Sequence, residues 1–350
     1  MKKTTPPKSI CVLRLSAIGD VCHALSAVQQ MQRIYPDAEI TWVMGKVEAS
    51  LFVDIPNVKV VVFDKSQGLK GMKAVWQQLS TQKFDYLLHM QVALRASLLS
   101  VGIKAKIRLG FNWSRAKEGQ WLFTNAKLPN HSQEHVLDNF SQFAHYLGCP
   151  QEEPKWLIPV SEQDREIINQ LPKTYVVISP AASKDERNWL VDRYAEISDY
   201  IVSQGVAVVL CGAPTERERA LVKEIEASAQ SKLINLVGQT SLKQLCAVLA
   251  HAKVVIAPDS GPAHLATTQG TPVIGLYAHS NPKRTGPYHS LEHTVSVYEN
   301  IVQEQFGQSS EQLKWGTRIK GSHLMQRIST QQVKQKLAKF ISQPLIDDNK

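Results

Sequence analysis

Short apolar, β-branched runs alternate with amphipathic helical stretches twice along this chain, and that alternation restricts its fold more than any other feature. In the first half the runs are Ile10–Leu15, Glu39–Met44, Val58–Phe63, Asp85–His89 and Lys104–Leu109. Helical patterns cover Asp20–Ile34, a short stretch near Glu48–Val53, Leu69–Leu79, Ala93–Val101 and, last, Val136–Tyr146. The second half repeats the scheme with strands at Tyr175–Ser179, Val206–Leu210, Leu233–Leu236, Val254–Ile256 and Val273–Leu276. Helices over Tyr194–Val202, from Thr215, over Leu242–Leu249 and after Ser260 fall between them. Strands alternating with helices predict a parallel sheet covered on both faces. Between the halves, Gly148-Cys149-Pro150 through Pro159 reads as a linker. The expectation is α/β: two doubly wound domains, 1–160 and 161–350, with the carboxyl edges of both sheets facing a cleft. Residues 110–135 read as a long, functional loop. Pattern alone does not place the final helix, near Val333–Phe340, which could return to the first domain.

The 350 residues exceed what one core ordinarily holds. No apolar run approaches the roughly 20 residues needed to span a bilayer. The basic start, Met1 to Pro7, is followed by an apolar stretch broken by Arg14 and Asp20, a poor signal peptide. The five cysteines, Cys11, Cys22, Cys149, Cys211 and Cys246, form no CxxC pair and read as buried residues of a reducing compartment. A cytoplasmic location is expected. The net charge of +9 is uneven: residues 1–160 hold 19 Lys/Arg against 12 Asp/Glu, and the remainder 21 against 19. Arg95, Lys104, Lys106, Arg108, Arg115 and Lys117 run without an acidic residue between them. Such a stretch suits an anionic partner or a solvated face; nucleic acid is disfavoured because no nucleic-acid-binding motif accompanies it.

Two strand-to-helix junctions carry candidate chemistry. Asp259-Ser260-Gly261-Pro262-Ala263-His264 follows the apolar run at 254–256. Ser260 is a good N-cap and Pro262 falls near the first helical position, so the junction presents N–H groups and a positive helix end to an anion. At the other junction, strand Ile10–Leu15 leads through Ser16-Ala17-Ile18-Gly19 to a helix beginning near Asp20. In an open parallel sheet that edge is where ligands sit.

The motifs RLSAIGDVCHAL (14–25), SKDERNW (183–189), GAPTERER (212–219), and APDSGPAHLA with GTPVIGLY (257–277) together resemble the glycosyltransferase family 9 heptosyltransferases, over nearly the whole chain and in order. Ser16-x-x-Gly19-Asp20-Val21 followed by His23 is more similar to the heptosyltransferases that add the first heptose to Kdo than to those that add the second. The resemblance implies a GT-B fold of two Rossmann-like domains, the N-terminal one binding the acceptor and the C-terminal one binding ADP-heptose. It implies an enzyme of the lipopolysaccharide inner core, acting on Kdo-lipid A or a related anionic glycolipid, peripheral at the cytoplasmic face of the inner membrane.

Inverting transfer needs a base for the acceptor hydroxyl and positive charge on the departing diphosphate. Asp20 is placed as that base and matches the family's catalytic aspartate. Ser183, Lys184 and Arg187 lie in a loop after a strand, where the cations can pair the diphosphate. The family often has Lys at the position of Arg187. Glu216 is placed to accept from a ribose diol; Ser260, Gly261 and His264 would hold the diphosphate, leaving Asp259 for a sugar hydroxyl. Trp189 reads as packing. Acceptor-binding candidates are Ser16, Gly19, His23, Arg95, Lys104 and Arg115. The sequence His131-Ser132-Gln133-Glu134-His135 fits an inverted zinc-protease pattern but begins in a loop, and no Asp-x-Asp pair exists, so no metal and no other cofactor is expected. Remaining alternatives are transfer to a later core sugar, a nucleotide-sugar epimerase, and a non-catalytic binding protein.

Overall fold

Runs such as Ile10-Cys11-Val12-Leu13, with every side chain buried, fit only a strand covered on both faces, and both halves of the chain are built on strands of that kind. The computed structural model describes residues 6–132 and 134–341. They divide between Pro159 and Val160 into two units. In the first unit the order is β1 (Ser9–Leu13), α1 (Ile18–Ile34), β2 (Glu39–Gly45), α2 (Lys46–Ala49), β3 (Val58–Phe63), α3 (Gly68–Gln78), β4 (Phe84–His89), α4 (Leu94–Ser100), β5 (Ala105–Gly110), β6 (Ala126–Lys127) and α5 (Val136–Tyr146). The sheet runs β3-β2-β1-β4-β5-β6, with every pairing parallel. The chain winds outward from β1 to β3 and then returns to the other side of β1. The crevice between the carboxyl ends of β1 and β4 is therefore the point where strand order reverses, which is where doubly wound sheets bind ligands.

The second unit follows with α6 (Glu162–Arg165), β7 (Tyr175–Ile178), α7 (Val191–Ser203), β8 (Ala207–Leu210), α8 (Glu216–Ser228), β9 (Ile234–Asn235), α9 (Leu242–His251), β10 (Val255–Pro258), α10 (Gly261–Thr268), β11 (Val273–Tyr277), α11 (Pro282–Thr285), β12 (Val295–Ser296), α12 (Tyr298–Phe306) and α13 (Thr330–Ile341). Its sheet runs β12-β11-β10-β7-β8-β9, again all parallel, and reverses between β7 and β10. Val333, Leu337 and Ile341 of α13 are buried in the core of this unit, beside Ile197 and Ile201 of α7. The final helix, which pattern alone did not place, packs its apolar face inside the second unit, and Lys334 pairs with Glu196 of α7 at 2.6 Å.

Two further readings change. The loop over 110–135 contains β6 and a 3-10 turn over Gln120–Phe123; β6 is only two residues long, too short for periodicity to reveal. Gly19 lies inside α1 rather than in the loop, because the helix starts at Ile18. The five cysteines are free thiols and all buried; burial pushes the Cys211 thiol up to about 12 and the Cys149 thiol up to about 11, which keeps both protonated and inert. No helix of the described residues is long and apolar enough to cross a membrane.

Candidate functional site

The first site forms where β1 ends. Arg14, the residue after β1, is buried; its guanidinium donates to Met90 O at 2.8 Å, lies 5.2 Å from the Phe140 ring centroid and pairs with the Asp20 carboxylate. Asp20 is the third residue of α1, and its Oδ2 also accepts the Ala17 N–H at 3.3 Å. The aspartate is therefore not the helix's N-cap; it is a partly exposed carboxylate held from one side by a buried cation. Glu48 also lies in the field of Arg14, and burial pushes its carboxyl up. Across the reversal point, Gln91 Oε1 accepts the Leu15 and Ser16 N–H groups at 3.0 and 3.4 Å and so joins the loop after β4 to the loop after β1.

Arg95 opens α4 after β4 and is exposed, while Arg115 follows β5 and is buried, its N–H donating to Asn112 Oδ1 at 3.1 Å. Both belong to the carboxyl edge that carries Asp20. Lys104 does not. It precedes β5, at the opposite edge, and donates to Ser80 O at 2.9 Å. Its neighbour Lys106 pairs with Asp85 at 2.7 Å on that same edge, and Arg108 is taken up by Phe123 O, Ile103 O and Ser100 O at 2.7–2.9 Å. The basic stretch is thus no single patch: alternation along β5 and its position at the wrong strand end disperse it. His23 is corrected as well. It is 3% exposed on the inner face of α1, its ring edge-to-face with His135 at 5.2 Å. His135 itself caps α5, Nδ1 accepting the Leu137 N–H at 3.1 Å, so the two histidines of the zinc-like pattern share no helix. Gln133 of that pattern lies outside the described residues. Among the described residues no group of three or more His, Cys, Asp or Glu side chains could hold a metal ion.

His89, the last residue of β4, is fully buried, and the Gln120 amide donates to its carbonyl at 2.8 Å and lies 3.2 Å from its Nδ1. Burial, then the nearby Arg108 charge, push its imidazole down to about 3. In the unfolded chain the ring titrates near 6.5, so the unfolded state binds more protons between the two values, and stability present above pH 6.5 is lost as pH falls toward 3. The expected limb is up to about 1.4 kcal/mol per pH unit. Urea titrations in that window should show it in the wild type and a shallower one in His89→Gln.

The second site gathers at three adjacent strand ends. After β7, the loop 180–189 turns back on itself: Asn188 Oδ1 accepts the Ala182 N–H at 2.7 Å, and Arg187 Nη2 donates to Ser183 Oγ at 3.2 Å. Arg187 is buried, with Nη1 3.5 Å from Asp259 Oδ2; burial pushes the guanidinium down and the Asp259 charge opposes that shift. Asp259 follows β10. It also accepts the Ser280 hydroxyl at 2.6 Å, and its Oδ1 lies 3.9 Å from His264 Nε2. Asp259 is therefore engaged with Arg187 and Ser280 rather than left open for a sugar hydroxyl. Ser260 takes the N-cap position of α10, but its side chain does not cap the helix. Its Oγ is closed off from solvent and finds no hydrogen-bond partner among the described residues. After β8, Glu216 opens α8 with its side chain exposed. Lys184 is exposed, 3.8 Å from Glu186. Trp189 packs: it is buried, its Nε1 donating to Ile328 O at 3.0 Å.

Sequence reasoning missed the residues that hold these groups in place. Arg217 pairs with Asp185 and donates to Ala182 O at 2.7 Å, tying the start of α8 to the loop after β7. Glu218 Oε2 accepts the Ala213 N–H at 2.7 Å and shapes the Gly212-Ala213-Pro214 turn. Arg318 lies in the electrostatic field of Arg187. The Ile319 N–H donates to His279 O at 3.0 Å and its carbonyl meets His279 Nδ1 at 3.0 Å, which holds that segment against the loop after β11. Only the charges within the quoted motifs, Arg14, Arg217 and Glu218, offered a signal; Arg318 and Gln91 offered none.

The model of glycosyltransferase family 9 (heptosyltransferase) matches residues 72–315. A lipopolysaccharide core heptosyltransferase of Haemophilus influenzae, OpsX, is 47% identical over 94% of this chain and 96% of its own. The chain belongs to glycosyltransferase family 9. It is a glycosyltransferase, and its two all-parallel six-stranded sheets with flanking helices are those of the family's solved structures. The Veillonella parvula family 9 glycosyltransferase superposes with a TM-score of 0.79 over 96% of this chain and 97% of that one, at 22% identity. The Escherichia coli heptosyltransferase WaaC, solved with ADP, superposes with a TM-score of 0.74 over 95% and 99%, at 20% identity.

Proposed function

We propose that this family 9 enzyme is an inverting heptosyltransferase of the lipopolysaccharide core that moves heptose from ADP-heptose to Kdo. The observation that carries the reading is the contrast between the two reversal points. One holds a carboxylate fixed by a buried arginine; the other holds a buried arginine, an uncapped helix N-terminus and a serine hydroxyl with no hydrogen-bond partner among the described residues. A base and a leaving-group site are what inverting transfer requires. The 47% identity to a core heptosyltransferase and the Ser16-x-x-Gly19-Asp20-Val21 motif support the substrate class.

In this reading the acceptor hydroxyl lies against Asp20. As its oxygen bonds to the anomeric carbon, the bond from that carbon to the diphosphate oxygen breaks, and the electron pair leaves with ADP. The hydroxyl grows acidic as the bond forms, and Asp20 takes its proton. Arg187, the N–H groups of Gly261 and Ala263, and the Ser260 hydroxyl receive the charge that develops on the diphosphate. Asp259 and Ser183 act on Arg187, aiming its guanidinium, with His264 beside them; Lys184 and Arg318 add positive field. Glu216 accepts from the ribose diol. Ser16 and Gly19 line the acceptor side, and Arg95 and Arg115 meet its anionic groups. The enzyme works without metal, at the cytoplasmic face of the inner membrane, and binds no nucleic acid.

The test is incubation with ADP-heptose and a panel of acceptors: Kdo-lipid A, its phosphorylated and two-Kdo forms, and heptose-bearing cores. Mass gain of one heptose on a Kdo-terminated acceptor, unchanged by a chelator, is expected. Turnover confined to heptose-bearing cores would move the enzyme to a later step. Loss of turnover on chelation, restored by a divalent ion, would refute the metal-free mechanism.

A further inference from the structure

Helix α4 and the 3-10 turn over Gln120–Phe123 lie side by side on the first unit. At one end the Leu94 N–H donates to Glu118 Oε2 at 2.7 Å. At the other, Arg108 bridges Phe123 O at 2.9 Å and Ser100 O and Ile103 O at 2.7 Å. Held together in this way, they leave an apolar surface uncovered. Leu94, Leu98 and Val101, spaced i, i+4, i+7, are 47%, 44% and 61% exposed. Alongside, Trp121 and Leu122 are 43% and 68% exposed, and Trp113, 64% exposed, packs against Trp121 with ring centroids 5.5 Å apart and the rings tilted by 40°. Single exposed apolar side chains are ordinary on a folded protein; six grouped on one face mark an interaction surface.

The charges around this face identify what covers it. Arg95 and Lys117 are exposed there, and Lys127 Nζ sits 3.7 Å over the Trp113 ring. The acidic residue of the group, Glu118, is engaged by the Leu94 N–H. Lysine is depleted from the interfaces between proteins, and two copies of this face would oppose like charges. Tryptophan and aliphatic side chains bordered by lysine and arginine are instead the composition of a surface that rests at the boundary between lipid headgroups and acyl chains.

We propose that this face docks the enzyme on an anionic phospholipid bilayer. Leu94, Leu98, Val101, Trp121 and Leu122 enter the acyl boundary, while Lys117 and Lys127 meet the lipid phosphates. The inference rests on the reading above, in which the acceptor is a membrane-borne glycolipid. It adds which surface meets the membrane, and it replaces the dispersed basic stretch read from the sequence with a mixed apolar and basic face.

Co-sedimentation with vesicles of phosphatidylcholine alone, and of phosphatidylcholine with phosphatidylglycerol in equal parts, tests it. The wild-type enzyme should pellet with the anionic vesicles and be partly released by salt. Leu98→Asp and Leu122→Asp should each weaken that partition about tenfold or more, since each replaces a buried apolar contact by a charge. Transfer to a Kdo acceptor stripped of acyl chains should stay at the wild-type rate in both variants, which also reports that they fold. Equal pelleting of variants and wild type, or none of the wild type, overturns the proposal. So does a dimer in light scattering that Leu98→Asp abolishes without vesicle binding. Absence of transfer to the soluble acceptor by the wild type counts against the proposed function, whatever the vesicles show.

Discussion

Replacing Asp20 by Asn should lower turnover about a thousandfold, within the range general-base catalysis contributes, while leaving the affinity for ADP-heptose unchanged. The amide keeps the size of the carboxylate and its contact with the Ala17 N–H. Arg14 keeps Met90 O and the Phe140 ring, so the fold around the site should hold. What is lost is the negative charge, and with it both the capacity to take a proton and the ion pair with Arg14. Two controls sharpen the result. Asp20→Glu should restore part of the rate, and Glu48→Gln, at the other carboxylate facing Arg14, should change turnover by no more than a few fold. Single-turnover transfer and equilibrium donor titration separate the two quantities. An Asp20→Asn enzyme within a few fold of wild type would remove Asp20 from the mechanism, and a large loss in Glu48→Gln would move the base there.

Arg187→Ala should reduce turnover about a hundredfold to a thousandfold, the usual cost of removing one preorganised donor from a developing charge. It should weaken donor binding as well, because the guanidinium meets the diphosphate before and during transfer. The same change leaves Asp259 with the Ser280 hydroxyl and no nearby guanidinium. Breaking a fully buried pair costs 3–5 kcal/mol; for this partly open one about 2 kcal/mol of stability is expected. Arg187→Lys keeps the charge but loses the fork that reaches Ser183 and Asp259 together, and should recover only part of the rate. Asp259→Asn should lower turnover less than Arg187→Ala, because it disturbs the aim of the guanidinium rather than removing it. Melting curves and steady-state kinetics of the three variants check the ordering; Asp259→Asn falling further than Arg187→Ala would give the carboxylate a direct role in the substrate's chemistry.

The fold was legible because buried parallel strands must be apolar along their whole length. The central strands β7 and β11 are buried at every residue, and helix Val136–Tyr146 keeps its amphipathic period and falls where the pattern sets it. The two-residue strands β6 and β12 carry no period and stayed hidden, whereas the equally short β9 was readable because Leu233 and Leu236 flank it. In the site, the strand-end groups Asp20, Arg187, Asp259 and Ser260 were readable from motif and position together. Their partnerships were not. That Asp259 is engaged with Arg187 and Ser280 depends on side chains brought together from loops after three different strands. Charge was the least transferable signal. Lys104 and Arg115 are 11 positions apart in one basic stretch, yet a strand separates them and sends them to opposite edges of the sheet.

Inverting transfer fixes the anomeric configuration of the new glycosidic bond. With ADP-heptose and Kdo-lipid A, NMR of the purified product should show the heptose linked to Kdo with its configuration opposite to that in the donor. A product of retained configuration, or release of ADP and free heptose with no glycolipid gained, would contradict it.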